Sequence, residues 1–285
     1  MTINVKPNFL LGIGAQKAGT SFIHHALRGR PNVFLSSPKE LHVFDALFLP
    51  KICGGFRRRR REALIESLRL SNGSDVSDEF DRQTKELLWR VMFDYDPSAY
   101  VDYFVRASKG KSLVGEITPA YSMLNADHFL FIRDLLSDHF ELKVLFVMRD
   151  PVDRIFSAMK MADRNQGIVE HPAHERFAEE FKDPGHMLRT RYDKTVAAIE
   201  EVFEPNQVFY GFFEDMFNQS FFDRLSEFLE IKKIIPNFDV RVNASESKAR
   251  PDEAACRFAR KYYLTVYKAI EIKFGREYVR SLWQV

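Results

Sequence analysis

Cysteine is nearly absent. Cys53 and Cys256 are the only two in 285 residues, too few for a disulfide scaffold and without the spacing of a zinc site. Neither sign of charge dominates: 42 Lys and Arg against 40 Asp and Glu leave a formal net charge of +2. That balance offers no bulk attraction to nucleic acid, and no nucleic-acid partner is expected. No window approaches the roughly 18 consecutive apolar residues of a membrane span. The N-terminus lacks a basic region followed by an apolar run, so no secretory leader is expected and a cytoplasmic location is the default. Three glycosylation sequons, at 72–74, 218–220 and 243–245, point the other way. They are read as coincidence.

What is present is a core. Hydrophobic residues make up 45% of the chain, and its 27 phenylalanines are scattered rather than grouped into a binding stripe. Short apolar runs alternate with helical periodicity, with strands expected at 8–13, 32–36, 112–117, 142–148 and 207–213. Helices are expected at 20–29, 84–92, 97–107, 126–138, 152–162, 187–203, 216–229 and 253–273. The fold class is therefore α/β: a single domain over 1–285 with a central, mostly parallel β-sheet flanked by helices. Residues 49–96 break the rhythm with the run Arg57-Arg58-Arg59-Arg60-Arg61 and a polar stretch at 71–78. They are read as a helical, partly mobile insertion lying over or beside the site. The arginine run is read either as a solvated surface or as a contact for an anionic acceptor.

The most informative stretch runs from Phe9 to Leu27. A short apolar strand enters a turn containing Gly14, Lys17 and Gly19, and Thr20 and Ser21 open an amphipathic helix. Backbone N–H groups of such a turn and the positive end of the helix dipole converge on one point, which suits a phosphate or a similar anion. A nucleoside-triphosphate loop, G-x-x-x-x-G-K-[ST], carries lysine directly after its second glycine. Here Lys17 lies two residues before Gly19, and no strand ends in a Walker B aspartate. A P-loop phosphotransferase (kinase) using ATP is thus the alternative, not the first reading.

Gln16-Lys17-Ala18-Gly19-Thr20-Ser21 resembles the 5′-phosphosulfate loop of the sulfotransferases that use PAPS (3′-phosphoadenosine 5′-phosphosulfate). A second segment agrees: the apolar run 143–148 followed by Arg149-Asp150-Pro151 and, eight residues after the arginine, Ser157. It resembles the family's 3′-phosphate motif. An arginine at a strand's carboxyl end can fork two donors onto a phosphate, and Pro151 suits the first turn of the next helix.

Further segments follow the same pattern. Lys39-Glu40-Leu41-His42-Val43-Phe44 resembles the Lys-Glu-x-His-x-Phe segment of the carbohydrate (heparan-type) branch. By that resemblance Glu40 is the general base, with His42 the competing base because an imidazole titrates near neutrality. Alternation along an extended segment would point both side chains to one face. Glu116-Ile117-Thr118-Pro119-Ala120-Tyr121 is similar to the family's Glu-Lys-Thr-Pro-x-Tyr, with Ile117 in place of the lysine. It implies Glu116 and Tyr121 as acceptor-pocket residues, and Tyr192 is a third. The segment 242–251 resembles the basic loop that closes over the nucleotide, so that Lys248 and Arg250 would contact the 3′-phosphate or the adenosine.

The resemblance implies in-line transfer of a sulfuryl group from PAPS, leaving PAP (adenosine 3′,5′-bisphosphate), to a hydroxyl or amine. Lys17 and the loop N–H groups would stabilise the charge that develops. The chemistry requires no metal. The acceptor stays open between a glycan and a small natural product.

Overall fold

Five short runs rich in β-branched and aromatic residues pair side by side into one all-parallel sheet. The structure, a computed structural model, describes residues 6–71, 78–168, 170–240 and 249–284. Strand β1 (Asn8–Gly14) leads into α1 (Thr20–Leu27), then β2 (Val33–Leu35). Helices α2 (Phe44–Phe48), α3 (Pro50–Cys53), α4 (Gly55–Ser71), α5 (Asp78–Met92) and α6 (Pro97–Ala107) precede β3 (Leu113–Ile117). Next come α7 (Ala126–Ser137), β4 (Glu141–Met148), α8 (Pro151–Gln166), α9 (Ala173–Glu180), α10 (Pro184–Leu188), α11 (Tyr192–Glu200) and β5 (Val208–Phe212). Helices α12 (Gln219–Phe228), α13 (Glu253–Tyr262), α14 (Leu264–Phe274) and α15 (Arg276–Leu282) complete the described chain.

The strands lie in the order β2-β3-β1-β4-β5, every pairing parallel. Every residue of β1 and β3 is buried, as expected of strands covered on both faces. From β1 the chain crosses towards one edge, to β2, and from β4 towards the other, to β5. The connections therefore diverge between β1 and β4, the crevice where open parallel sheets bind ligands. The turns after β1 and β4 are those carrying Lys17 and Arg149.

All five expected strands form within about two residues of their predicted ends. Two expected helices break. The segment 187–203 divides into the end of α10 and α11, because the buried Thr190 hydroxyl donates to the His186 C=O at 2.6 Å and competes with the helical ladder. The segment 253–273 divides at Tyr263, whose buried hydroxyl is fixed by a 2.8 Å bond to the Phe181 C=O. Helices α9 and α15, eight and seven residues long, were not legible by periodicity. In 49–96 the chain forms α3, α4 and α5, with α4 and α5 packed on each other.

Strand spacing leaves no room at Gly115. A Cβ there would lie 2.1 Å from the Leu10 carbonyl oxygen of the neighbouring strand. Gly115→Ala is expected to cost about 3 kcal/mol or more, since the obstruction is backbone and cannot rotate away. Urea unfolding of the variant beside Val114→Ala measures this, and an unchanged midpoint would contradict the β1–β3 register.

Candidate active site

The turn after β1 is anchored at its start and closed on itself, the Ala18 N–H donating to the Ala15 C=O at 3.2 Å. The Ala15 N–H donates to the Val147 C=O at 2.6 Å, tying the start of the turn to β4. Lys17 (φ 67°) and Gly19 (φ 80°) are both left-handed. The left-handed backbone favours glycine at Gly19, and a Cβ there would also displace the Met216 methyl group, 2.2 Å away. Gly19 is the N-cap of α1, which has no side-chain cap and no acidic residue in its first turn. The Phe22 N–H of that turn donates to the Gly19 C=O at 2.9 Å, and the positive end of the helix dipole adds its pull on an anion. Gln16, Lys17 and Ser21 are half-buried around the turn, while Ala18 and Thr20 are buried beneath it.

Arg149 closes the other side. Its Nη1 donates to the Lys17 C=O at 3.2 Å, and its guanidinium lies 4.2 Å over the Phe213 ring. Its Nε is buried without a hydrogen-bond partner, and among the described residues no carboxylate forms an ion pair with it. Such an orphaned donor calls for a ligand or water. Asp150 caps α8 by accepting from the N–H groups of Val152 and Asp153, at 2.9 and 3.2 Å. Ser157 lies half-buried further along α8.

Lys160 and Arg164 follow Ser157 at helical spacing, on the same face of α8. They are functional candidates that sequence reasoning missed; spacings of three and seven residues after Ser157 were the available signal. Burial lowers the Lys17 ammonium, and the charges of Arg164, Arg149 and Lys160 lower it further, with Glu40 alone acting in opposition. These four cations therefore concentrate positive potential at the switch point. Arg250 joins its edge, exposed and paired with Asp153 at 2.9 Å. Lys248 lies outside the described residues.

The segment after β2 brings Glu40 and His42 together by a different route from the expected extended one. Both residues are left-handed, at φ 67° and 53°. Even so, Glu40 Oε2 lies 3.5 Å from His42 Nε2. The other ring nitrogen, Nδ1, is 2.7 Å from the fully buried Asp45, a partner that sequence reasoning did not single out. Burial alone would lower the imidazole, but hydrogen bonds and charge from Asp45 and Glu40 reverse this and raise it above 6.5. Burial alone would likewise raise Glu40, yet bonding to His42 and Lys39 holds the carboxyl at about 2. The Glu40 side chain is 39% exposed against 13% for His42, so the carboxylate is the group that reaches the cleft.

Glu116, Tyr121 and Tyr192, expected to line the acceptor pocket, are instead fully buried. Glu116 accepts from the hydroxyls of Thr118, Tyr100 and Tyr121 at 2.6, 2.8 and 2.8 Å, and from the Leu41 N–H at 3.3 Å. Tyr121 in turn accepts from the Val43 N–H at 3.1 Å. The two residues thus hold the main chain on either side of His42. Tyr192 does the same for the other motif, donating to the Arg149 C=O at 3.0 Å. Ile117 packs where a Cβ at Gly12 would meet it at 2.7 Å, so this position faces the sheet rather than the cleft.

Comparison with known proteins agrees with the fold. Residues 9–233 match the model of the sulfotransferase family, and the chain belongs to that family of transferases. A sulfotransferase from Alicyclobacillus acidocaldarius is similar in structure, with a TM-score of 0.61 and 20% identity over 94% of this chain and 95% of that one. The sulfotransferase domain of the Synechococcus PCC 7002 olefin synthase aligns at 13% identity over 92% and 97%, with a TM-score of 0.45. No curated protein sequence matches.

Removing the Tyr121 hydroxyl takes an acceptor from the Val43 N–H and a donor from Glu116. Tyr121→Phe is expected to cost about 1–3 kcal/mol, the penalty for a buried polar group left unpaired. A thermal melt should show the midpoint lowered by several degrees, at roughly 2–4 °C per kcal/mol. An unchanged midpoint would mean that the network carries no weight.

Proposed function

We propose that the chain transfers a sulfuryl group from PAPS to a hydroxyl or amine of an acceptor. The observation that carries this reading is the cluster of Lys17, Arg149, Lys160 and Arg164 around an uncapped helix start, with the Arg149 Nε orphaned. A polyanion with two separate phosphate positions fits that arrangement. The loop 16–21 would hold the 5′-phosphosulfate, Arg149 and Ser157 the 3′-phosphate, and Arg250 with Lys248 the nucleotide's outer edge. When bound, PAPS supplies the activated sulfuryl group and departs as PAP.

In the proposed step the acceptor oxygen or nitrogen bonds to sulfur. The bond from sulfur to the bridging oxygen breaks, with its electron pair going to that oxygen. Lys17 and the loop N–H groups stabilise the negative charge that grows there. Glu40 takes the acceptor's proton. A carboxylate held at about 2 is a weak base, which suits a loose transition state in which the nucleophile loses its proton late. His42, fixed by Asp45, orients Glu40 and shares its charge. A glycan hydroxyl is the acceptor favoured by the Lys39–Phe44 segment, and the buried Ile117 separates this chain from the heparan type at that position.

Two measurements test the reading. Adenosine 3′,5′-bisphosphate should raise the melting temperature while AMP barely does, because Arg149 and Ser157 answer to the 3′-phosphate and stabilisation follows ligand concentration over Kd. Equal shifts from both would contradict the assignment. With a transferable acceptor in hand, Glu40→Gln should lower turnover by about 10²–10⁴-fold, the usual worth of a general base. With the Glu40 carboxyl at about 2, wild-type kcat/KM should stay flat on the acid side from about pH 5 upwards. A rise through a pKa above 6.5 would instead identify neutral His42 as the base.

A further inference from the structure

Helix α4 carries the five-arginine run, and its first two turns lie against the loop of Glu40 and His42. Phe56 stacks on the His42 ring, with centroids 3.6 Å apart and planes 9° from parallel. One turn later Arg60 is 3% exposed, whereas the neighbouring Arg58 side chain is 74% exposed. Each nitrogen of the buried guanidinium has a partner. Its Nη1 donates to the carbonyls of Leu41 and His42, at 2.9 and 3.3 Å. Its Nε donates to Asp94 Oδ2 at 3.1 Å, and Nη2 to Asp94 Oδ1.

Left-handed backbone at two residues that are not glycine persists only where the surroundings enforce it. On the sheet side, Glu116 and Tyr121 hold the N–H groups of Leu41 and Val43. On the insertion side, Arg60 holds the carbonyls of Leu41 and His42. A fork that binds one carboxylate and two carbonyls at once is a task for arginine and not for lysine. We propose that Arg60, oriented by Asp94, is a positioning residue that clamps the loop bearing Glu40 and His42 into its working shape. The inference rests on the sulfotransfer reading only for the role given to those two side chains. It gives Arg60 and Asp94, from within the segment 49–96, a supporting part in the reaction that acts through the main chain of the Glu40–His42 loop.

The test reads the loop without needing an acceptor. The His42 imidazole, identified by its disappearance in His42→Asn, is titrated by NMR in the wild type, Arg60→Lys and Asp94→Asn. In the same proteins, binding of adenosine 3′,5′-bisphosphate is measured by calorimetry. In the wild type the midpoint should lie above 6.5, held there by Asp45 and Glu40. Both variants should bring it down towards 6.5 as the loop relaxes away from these carboxylates. Bisphosphate affinity should change by less than about twofold, since the cradle after β1 is untouched. An unchanged His42 titration in both variants would overturn the clamp, and so would an equal loss of bisphosphate affinity, which would signal general damage. If Arg60→Lys does not fold, Asp94→Asn decides alone. If the bisphosphate fails to bind the wild type, the nucleotide reading falls while the His42 titration still judges the clamp.

Discussion

Parallel pairing of β1 with β3 on one side and β4 on the other is the constraint on which the rest of the molecule depends. It buries the central strand completely and sets two turns side by side at the point where the chain's connections diverge. The turn after β1 supplies Lys17 and the start of α1, and the turn after β4 supplies Arg149. Their contact, the Arg149 bond to the Lys17 carbonyl, exists only because the two strands are neighbours. The register also explains the tolerance for glycine and nothing larger at Gly115, where the β3 backbone meets β1.

Electrostatics at that junction is unbalanced by design of the fold. Three cations act on the Lys17 ammonium, with Glu40 the one opposing carboxylate among the described residues, and burial adds to the cost of the charge. Like charges brought together in this way oppose folding, so the arrangement makes sense as the complement of a polyanion. The nearby carboxylates Asp150, Asp153 and Glu214 already have partners of their own. Asp150 caps α8, Asp153 pairs with Arg250, and Glu214 accepts from the Asp150 N–H and the Trp283 indole. Glu40 remains at the border of this positive field, paired with Lys39 and His42.

The loop of Glu40 and His42 is governed by a different balance, between backbone strain and the hydrogen bonds that offset it. Its N–H groups face buried acceptors on the sheet, and its carbonyls face a buried guanidinium from the insertion. His42 is further fixed by Asp45 at one ring nitrogen and by Phe56 on one ring face. Rigid support of this kind is what keeps a reacting group within reach of its target.

Periodicity and local chemistry in the sequence determined the strands, the cradle at Gly14–Ser21 and the Arg149–Ser157 motif. Each depends on residues close together in the chain: apolar runs for strands, two glycines, a lysine and the Thr20–Ser21 helix start for the turn after β1, a proline after a strand for the helix entry. The sequence also marked Glu40 and His42, but assigned them an extended backbone that the structure replaces with left-handed turns. Only the tertiary structure decided the rest. Glu116, Tyr121 and Tyr192 resemble pocket residues in sequence yet face the interior, because the direction of a side chain at a strand end is set by what packs across from it. Lys160 and Arg164 gain their meaning from facing Lys17, about 150 residues away along the chain. Within a run of five arginines, burial against Asp94 and the loop carbonyls singles out Arg60, and no local signal could. Burial and long-range contact belong to the folded chain, and those two properties assign such residues their work.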